Sequence, residues 1–214
     1  MSLTVNEIFH SIQGESLHAG RPCVFVRLSG CNLRCRYCDT RYAYEEGYRL
    51  TIDEIIDRIS DYKCPLIEIT GGEPLFQEET PLLIQRLLEC GHEMLIETNG
   101  SYDIDLVDRR CIKIVDIKCP SSGESTKTDL DNLKRLTPRD QVKFVIGDRD
   151  DYDYAAQITK LVATDVPKHH ILFSPVFNQL DPRQLAQWLL RDRFPFRLHL
   201  QLHKIIWPEA DRGK

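Results

Sequence analysis

The chain has 214 residues, 33 acidic against 28 basic side chains for a formal charge of −5, and 42% apolar residues. That describes one acidic domain able to bury a sizeable core, and its scattered Lys and Arg argue against a nucleic-acid partner. No run approaches the roughly eighteen apolar residues of a membrane span, and Met1 to His10 lacks the basic start and apolar stretch of a secretory signal, so the cytosol is the expected compartment. Eight cysteines are too sparse for a disulfide scaffold, and a reducing compartment keeps them as thiols unless they hold metal.

The first strong strand is Pro22 to Gly30, where Val24, Val26 and Leu28 alternate with Phe25, Arg27 and Ser29. It runs straight into Cys31. Thr51-Ile-Asp-Glu54 reads as a capping box opening a helix to about Tyr62, with Ile52, Ile55, Ile56 and Ile59 on one stripe. Leu66 to Thr70 is a short strand ending in Gly71-Gly72-Glu73-Pro74. Thr80-Pro81 then opens a helix that Gly91 stops. Strands are predicted at Glu93–Thr98, Ile112–Ile117, Gln141–Ile146, His170–Phe173 and Phe196–His203. Helices are predicted at Asp129–Leu136, Asp150–Ala163 and from Asp181-Pro182 to about Arg191. No repeat or linker interrupts residues 1–214, so one domain is expected.

Strands alternating with helices imply a mostly parallel sheet with right-handed crossovers, an α/β fold. About six such units make an incomplete TIM-like barrel, since the length falls short of the ~250 residues typical of the closed eightfold form. Cys31, Gly71, Thr98, Lys118 and Ser174 are all expected just past strand ends, on the rim that carries chemistry in such folds.

Cys31-Asn-Leu-Arg-Cys35-Arg-Tyr-Cys38 puts three thiols within eight residues on one loop. Thiolates suit zinc or iron–sulfur centres, and three of them wrap a cubane while leaving its fourth iron open to a ligand. Structural zinc needs a fourth ligand, and Cys64, Cys90, Cys111 and Cys119 offer no matching pair. Cys23 and these four read as small core or rim residues. Adjacent His169 and His170 point to opposite faces if they lie in a strand, which disfavours a chelate.

The cysteine loop, Tyr37 before its last thiol, and Gly71-Gly72-Glu73-Pro74 after a second strand resemble the radical S-adenosylmethionine (SAM) superfamily. That resemblance implies a [4Fe–4S] cluster on the three cysteines, SAM chelated by the free iron, and one-electron cleavage of SAM to a 5′-deoxyadenosyl radical. Glu7-Ile-Phe-His-Ser-Ile-Gln-Gly-Glu15, Gly20-Arg-Pro, Phe25-Val-Arg-Leu-Ser-Gly-Cys31 and Cys38-Asp-Thr40 narrow it to similarity with the 7-carboxy-7-deazaguanine synthase family, over essentially the whole chain. That implies conversion of 6-carboxy-5,6,7,8-tetrahydropterin to 7-carboxy-7-deazaguanine with loss of ammonia, on the path to queuosine and related 7-deazapurines. It also implies catalytic use of SAM, a magnesium ion, a homodimer, and reduction by a flavodoxin or ferredoxin.

Position by position, the resemblance assigns Cys31, Cys35 and Cys38 to the cluster, Thr40 to Mg²⁺, and Tyr37, Asp39 and Gly72 to SAM. Further SAM contacts fall at Lys118-Cys119-Pro120 and Ser174-Pro175-Val176-Phe177. Ile12, Gln13, Gly14, Arg27 and Thr70 match substrate contacts, and a guanidinium fork such as that of Arg27 suits a carboxylate. Competing local readings are a turn satisfied by Gln13 and Glu15, an ion pair for Arg27, and an exposed lysine at 118. His203 and Lys204 are either rim residues or pterin neighbours. The polar tail from Pro208 to Lys214 either leaves the fold or lies over the site. Other readings are a glycyl-radical activating enzyme, an iron–sulfur carrier or sensor, and a zinc-stabilised scaffold.

Overall fold

The computed structural model describes residues 1–209, 212 and 213; Ala210, Asp211 and Lys214 lie outside the described residues. Its nine strands are β1 (Ser2–Ile12), β2 (Pro22–Leu28), β3 (Tyr48–Thr51), β4 (Leu66–Gly71), β5 (Glu93–Thr98), β6 (Ile112–Ile117), β7 (Gln141–Ile146), β8 (Ile171–Pro175) and β9 (Arg197–Leu198). They form one open sheet in the order β3-β1-β2-β4-β5-β6-β7-β8-β9, which does not close into a barrel. From β2 onward the neighbours β2, β4 and every later strand run parallel, while β1 lies antiparallel to both β2 and β3.

Six of the predicted strands appear within a residue or two of their expected bounds because short apolar runs and flanking turns agree there. β1 and β3 were not expected. In β1 a register shift between Val5 and Glu7 moves the chain by one residue, so Leu3 and Val5 enter the core while Glu7 and Phe9 pair with Arg27 and Phe25 on the other face. That shift breaks the simple alternation by which a strand is read.

Helices α1 (Ile52–Ser60), α2 (Thr80–Glu89), α4 (Arg149–Ile158) and α5 (Pro182–Asp192) each carry apolar residues into the core against the sheet. The predicted box caps α1: Thr51 Oγ1 accepts from the Glu54 amide at 3.2 Å, and Glu54 Oε2 accepts from the Thr51 amide at 2.7 Å. Between α2 and α4 the expected helix at Asp129–Leu136 shrinks to α3 (Asn132–Arg135). Asp129 Oδ1 accepts from the Asp131 amide at 3.0 Å and offers the backbone a turn instead.

The C-terminal strand is also shorter than expected. Only Arg197 and Leu198 pair with β8; beyond His199 the chain leaves the sheet, the Leu202 amide donates to the Gly14 carbonyl at 2.9 Å, and α6 (Leu202–Ile206) forms. Ser174, expected past a strand end, lies inside β8 and is buried. Among the described residues no helix is long and apolar enough to cross a membrane.

Candidate active site

The strand ends of β2, β4, β5, β6, β7 and β8 and the segments around Gly14 and His203 enclose one cavity of about 870 Å³. Its upper rim is the cysteine loop. The loop is held by backbone: Gly30 donates to the Ala43 carbonyl at 2.9 Å, Cys38 to the Cys35 carbonyl at 3.2 Å, and Arg36 to the Ser122 carbonyl at 3.0 Å. Arg34 Nη1 donates to the carbonyls of Cys31 and Leu33, both at 2.8 Å. Cys31, Cys35 and Cys38 all line the cavity. Burial pushes the Cys31 and Cys35 thiols up, Cys35 to about 11, and the Lys118 ammonium nearby pulls the other way.

The Gly-Gly-Glu-Pro loop seals the rim beside the thiols. A Cβ on Gly72 would stand 2.3 Å from the Gly30 carbonyl oxygen and 2.6 Å from Cys31 Cβ, so only glycine fits there. Glu73 is fully buried and acts as a tie: its carboxylate accepts from the Asn99 amide at 2.6 Å, Thr98 Oγ1 at 2.7 Å and the Leu75 amide at 3.0 Å.

Below the rim lies a polar floor. Glu68, Glu97, Asp116 and Lys143 project into the cavity from β4, β5, β6 and β7. The Lys143 ammonium meets Glu15 Oε2 at 2.8 Å, Asp116 Oδ2 at 3.5 Å and Glu97 in a short contact. Lys118 Nζ grips the same Asp116 oxygen at 2.9 Å. Burial resists ionising Glu15, but Lys143, with His199 and His203 beyond it, holds the carboxyl well below the usual range. Glu68 goes the other way: burial, with Glu97 and Glu15 close by, pushes its carboxyl well above the usual range, and Gln13 Nε2 donates to it.

At the mouth, Arg27 Nε donates to Glu7 Oε1 at 2.7 Å, and its guanidinium lies between the Phe9 and Tyr42 rings at 5.7 and 5.9 Å. Glu7 therefore takes Nε and leaves the terminal nitrogens for a ligand. Thr70 is its register partner on the neighbouring strand. Thr40 Oγ1 donates to Asp39 Oδ1 at 2.9 Å, and Lys204 holds Asp39 Oδ2 at 2.8 Å.

The cavity thus brings together Ile12, Gln13, Gly14, Arg27, Thr70, Gly72, Lys118, Val176 and Phe177 with the loop residues Tyr37, Asp39 and Thr40. Four expected contacts lie elsewhere. Cys119 is fully buried among core side chains, Pro120 is exposed at the start of the next turn, and Ser174 and Pro175 are buried in β8; none lines the cavity, and Ser121 does so in place of Cys119 and Pro120. Gln13 is buried with its amide engaged at both ends, Oε1 accepting from the Glu15 amide at 2.9 Å and Nε2 donating to Glu68. It positions the Glu68 carboxyl and the backbone of Glu15. His203 and Lys204 do reach the cavity, and Gly14 is packed so closely that a Cβ would stand 2.3 Å from His203 Nδ1. Arg212 and Gly213 of the tail also line it. The floor residues Glu68, Glu97, Asp116 and Lys143 were missed. Their one signal is the presence of charged residues inside four largely apolar strands.

The model of the radical SAM superfamily matches residues 25–189. The 7-carboxy-7-deazaguanine synthase of Chlorobaculum tepidum is 46% identical over 213 residues, 99% of this chain and 97% of that sequence. The synthase of Koribacter versatilis is 41% identical over 225 residues, 99% of this chain and all of that one. The chain belongs to the radical SAM superfamily and to its 7-carboxy-7-deazaguanine synthase family. The crystal structure of QueE from Escherichia coli superposes with a TM-score of 0.81 over 95% of both chains at 22% identity, which shows the shared fold.

Membership in the radical SAM superfamily brings a [4Fe–4S] cluster and SAM, and the donor set fits them. Three soft thiols face one cavity, and among the described residues no three His, Cys, Asp or Glu side chains gather as a single-ion site would require. The glycine at 72 lets backbone lie flat against the thiol loop, and Lys118 places positive charge where thiolates collect.

Proposed function

We propose that residues 1–214 act as one unit that converts 6-carboxy-5,6,7,8-tetrahydropterin to 7-carboxy-7-deazaguanine and ammonia, supplying 7-deazapurines such as queuosine. The observation that carries this is the joining, in one cavity, of a three-thiol rim to a floor of ordered hydrogen-bonding groups. Cys31, Cys35 and Cys38 would hold the cluster, which together with SAM would supply the radical chemistry.

The chain's own residues do the rest by position. In this reading Arg27 takes the substrate carboxylate with the two nitrogens that Glu7 leaves free, and Thr70 flanks it. Glu15 and Glu97, fixed by Lys143, accept from ring N–H groups. Asp39 and Thr40 supply hard oxygen atoms suited to Mg²⁺ beside that carboxylate. Tyr37 and Phe177 line the same cavity and help exclude water. Val176 and Lys118 join Tyr37, Asp39 and Gly72 on the nucleotide side. A cytosolic homodimer reduced by a flavodoxin or ferredoxin completes the proposal.

The test is anaerobic incubation of reconstituted protein with SAM, reductant, Mg²⁺ and the carboxypterin, with product detected by mass. A new species lighter than the substrate by one ammonia is expected. Intact cluster and SAM cleavage without that species would overturn the substrate assignment.

A further inference from the structure

Asp116 presents a feature that neither the family membership nor the substrate assignment explains. Its side chain is 8% exposed and projects from β6 into the cavity. Oδ2 is held from two sides, by Lys118 at 2.9 Å and Lys143 at 3.5 Å. Oδ1, buried as deeply, has no hydrogen-bond partner among the described residues. Two ammonium groups on one oxygen fix the rotation of the carboxyl group. A buried carboxyl oxygen left without a donor loses the hydrogen bonds water would give it. Such atoms are rare in folded proteins and call for a specific partner.

We propose that Asp116 Oδ1 is a binding atom that accepts a hydrogen bond from a ligand O–H or N–H, with Lys118 and Lys143 as the positioning residues that aim it. Asp116 sits where the two ligand regions meet. Lys118, Tyr37 and Cys35 are its electrostatic neighbours toward the rim, while Glu97 and Lys143 adjoin it on the floor. The donor is therefore either a ribose hydroxyl of the nucleoside or a ring N–H of the pterin. The inference rests on the proposed function for the identity of these two ligands.

Asp116→Asn is the direct test. An amide cannot turn its NH₂ toward two ammonium groups, so it turns its oxygen to them and offers an N–H where Oδ1 offered a lone pair. The acceptor becomes a donor, and the ligand donor meets another donor. Reconstituted holoenzyme is titrated anaerobically with SAM and, separately, with the carboxypterin, and iron and sulfide content is measured alongside. With the cluster complete, a tenfold or greater weakening for SAM alone assigns the ribose hydroxyls; the same loss for the pterin alone assigns its ring. Unchanged affinity for both overturns the proposal. If the Asn variant assembles no cluster, Asp116→Glu decides: it keeps the charge between the lysines and displaces the oxygen by one methylene, so the same weakening is expected and wild-type affinity for both ligands overturns the idea. Wild-type protein that binds neither ligand would instead remove the proposed function on which the inference stands.

Discussion

The rim and the floor of the cavity are built on opposite plans. The rim is local: Cys31, Cys35 and Cys38 lie within eight residues, partly exposed or shallowly buried, and are positioned by backbone bonds within their own loop and its neighbours. The floor is assembled at long range: Glu15, Glu68, Glu97, Asp116 and Lys143 come from five segments, held by ion pairs to Lys143 and by the side-chain amides of Gln13 and Gln201. A loop of soft ligands waits for a bound group to complete it, whereas a buried ionic layer must be complete when the protein folds. Breaking one should leave the other standing. Cys35→Ala removes an iron ligand and is expected to abolish cluster assembly and turnover together while the fold persists, since Cys35 is not among the core side chains between sheet and helices. Iron analysis, turnover and the thermal midpoint check this. Retained turnover would refute the assignment.

Lys143→Met attacks the other plan. It leaves Glu15 and Glu97 buried without their cation and Asp116 with Lys118 alone. Removing one partner of a buried ion pair costs about 3–5 kcal/mol, because the remaining charge is uncompensated. The expected result is a lower denaturation midpoint together with weaker carboxypterin binding, while the isolated cysteine loop still takes up iron. A midpoint within experimental scatter of wild type would mean that the floor carboxyls are protonated and that the charge network does not exist as drawn.

The same contrast explains what could be read from the sequence. The thiol spacing, the Gly-Gly-Glu-Pro turn and most strands were legible because each is a local pattern whose chemistry needs those residues close together. Lys143 was not. In Gln141-Val-Lys-Phe-Val-Ile146 it is one charged residue in a predicted strand, and the pairing Asp116↔Lys143 across β6 and β7 places it beside the cavity's other charges. The turn that Gln13 satisfies, accepting from the Glu15 amide, was legible, but its contact with Glu68 was not, since that spans 55 positions. The differences at Cys119, Pro120, Ser174 and Pro175 are all local to strand ends. At Ser174 and Pro175 the cause is a boundary, because β8 runs two residues past its expected end at Phe173; at Cys119 and Pro120 it is the turn after β6, which ends at Ile117 as expected and then sends Lys118 and Ser121 to the cavity.

A smaller effect is expected at the mouth. Thr40→Ala removes one hard oxygen beside Asp39 and leaves the cysteine loop and the floor intact. Cluster content and SAM affinity should match wild type, while the Mg²⁺ concentration for half-maximal turnover rises several-fold. An unchanged magnesium response would move the ion away from Thr40, leaving Asp39 as an oxygen donor whose partner is Lys204.

The finest test concerns Glu68, because its predicted protonation is what keeps the floor from carrying one negative charge more. It is faced by Gln13 and Glu15 from the N-terminal segment, by Cys23 on β2, by Glu97 on β5 and by Lys143 on β7, and burial holds its carboxyl well above the usual range. The native state therefore keeps a proton that the unfolded chain releases above about pH 4.3. The unfolded state binds fewer protons in that window, so the stability this group contributes is full below the unfolded value and is lost as pH rises toward the folded one, at up to about 1.4 kcal/mol per pH unit. Glu68→Gln carries a neutral group of the same shape and removes that slope. Denaturant midpoints of the two proteins, compared from about pH 5 to about pH 8, should diverge with the variant gaining at the alkaline end. Other groups titrate alike in both, so the difference isolates Glu68. Parallel curves would mean that it is ionised in the fold, and Lys143 would then have to balance four carboxylates with help only from Lys118.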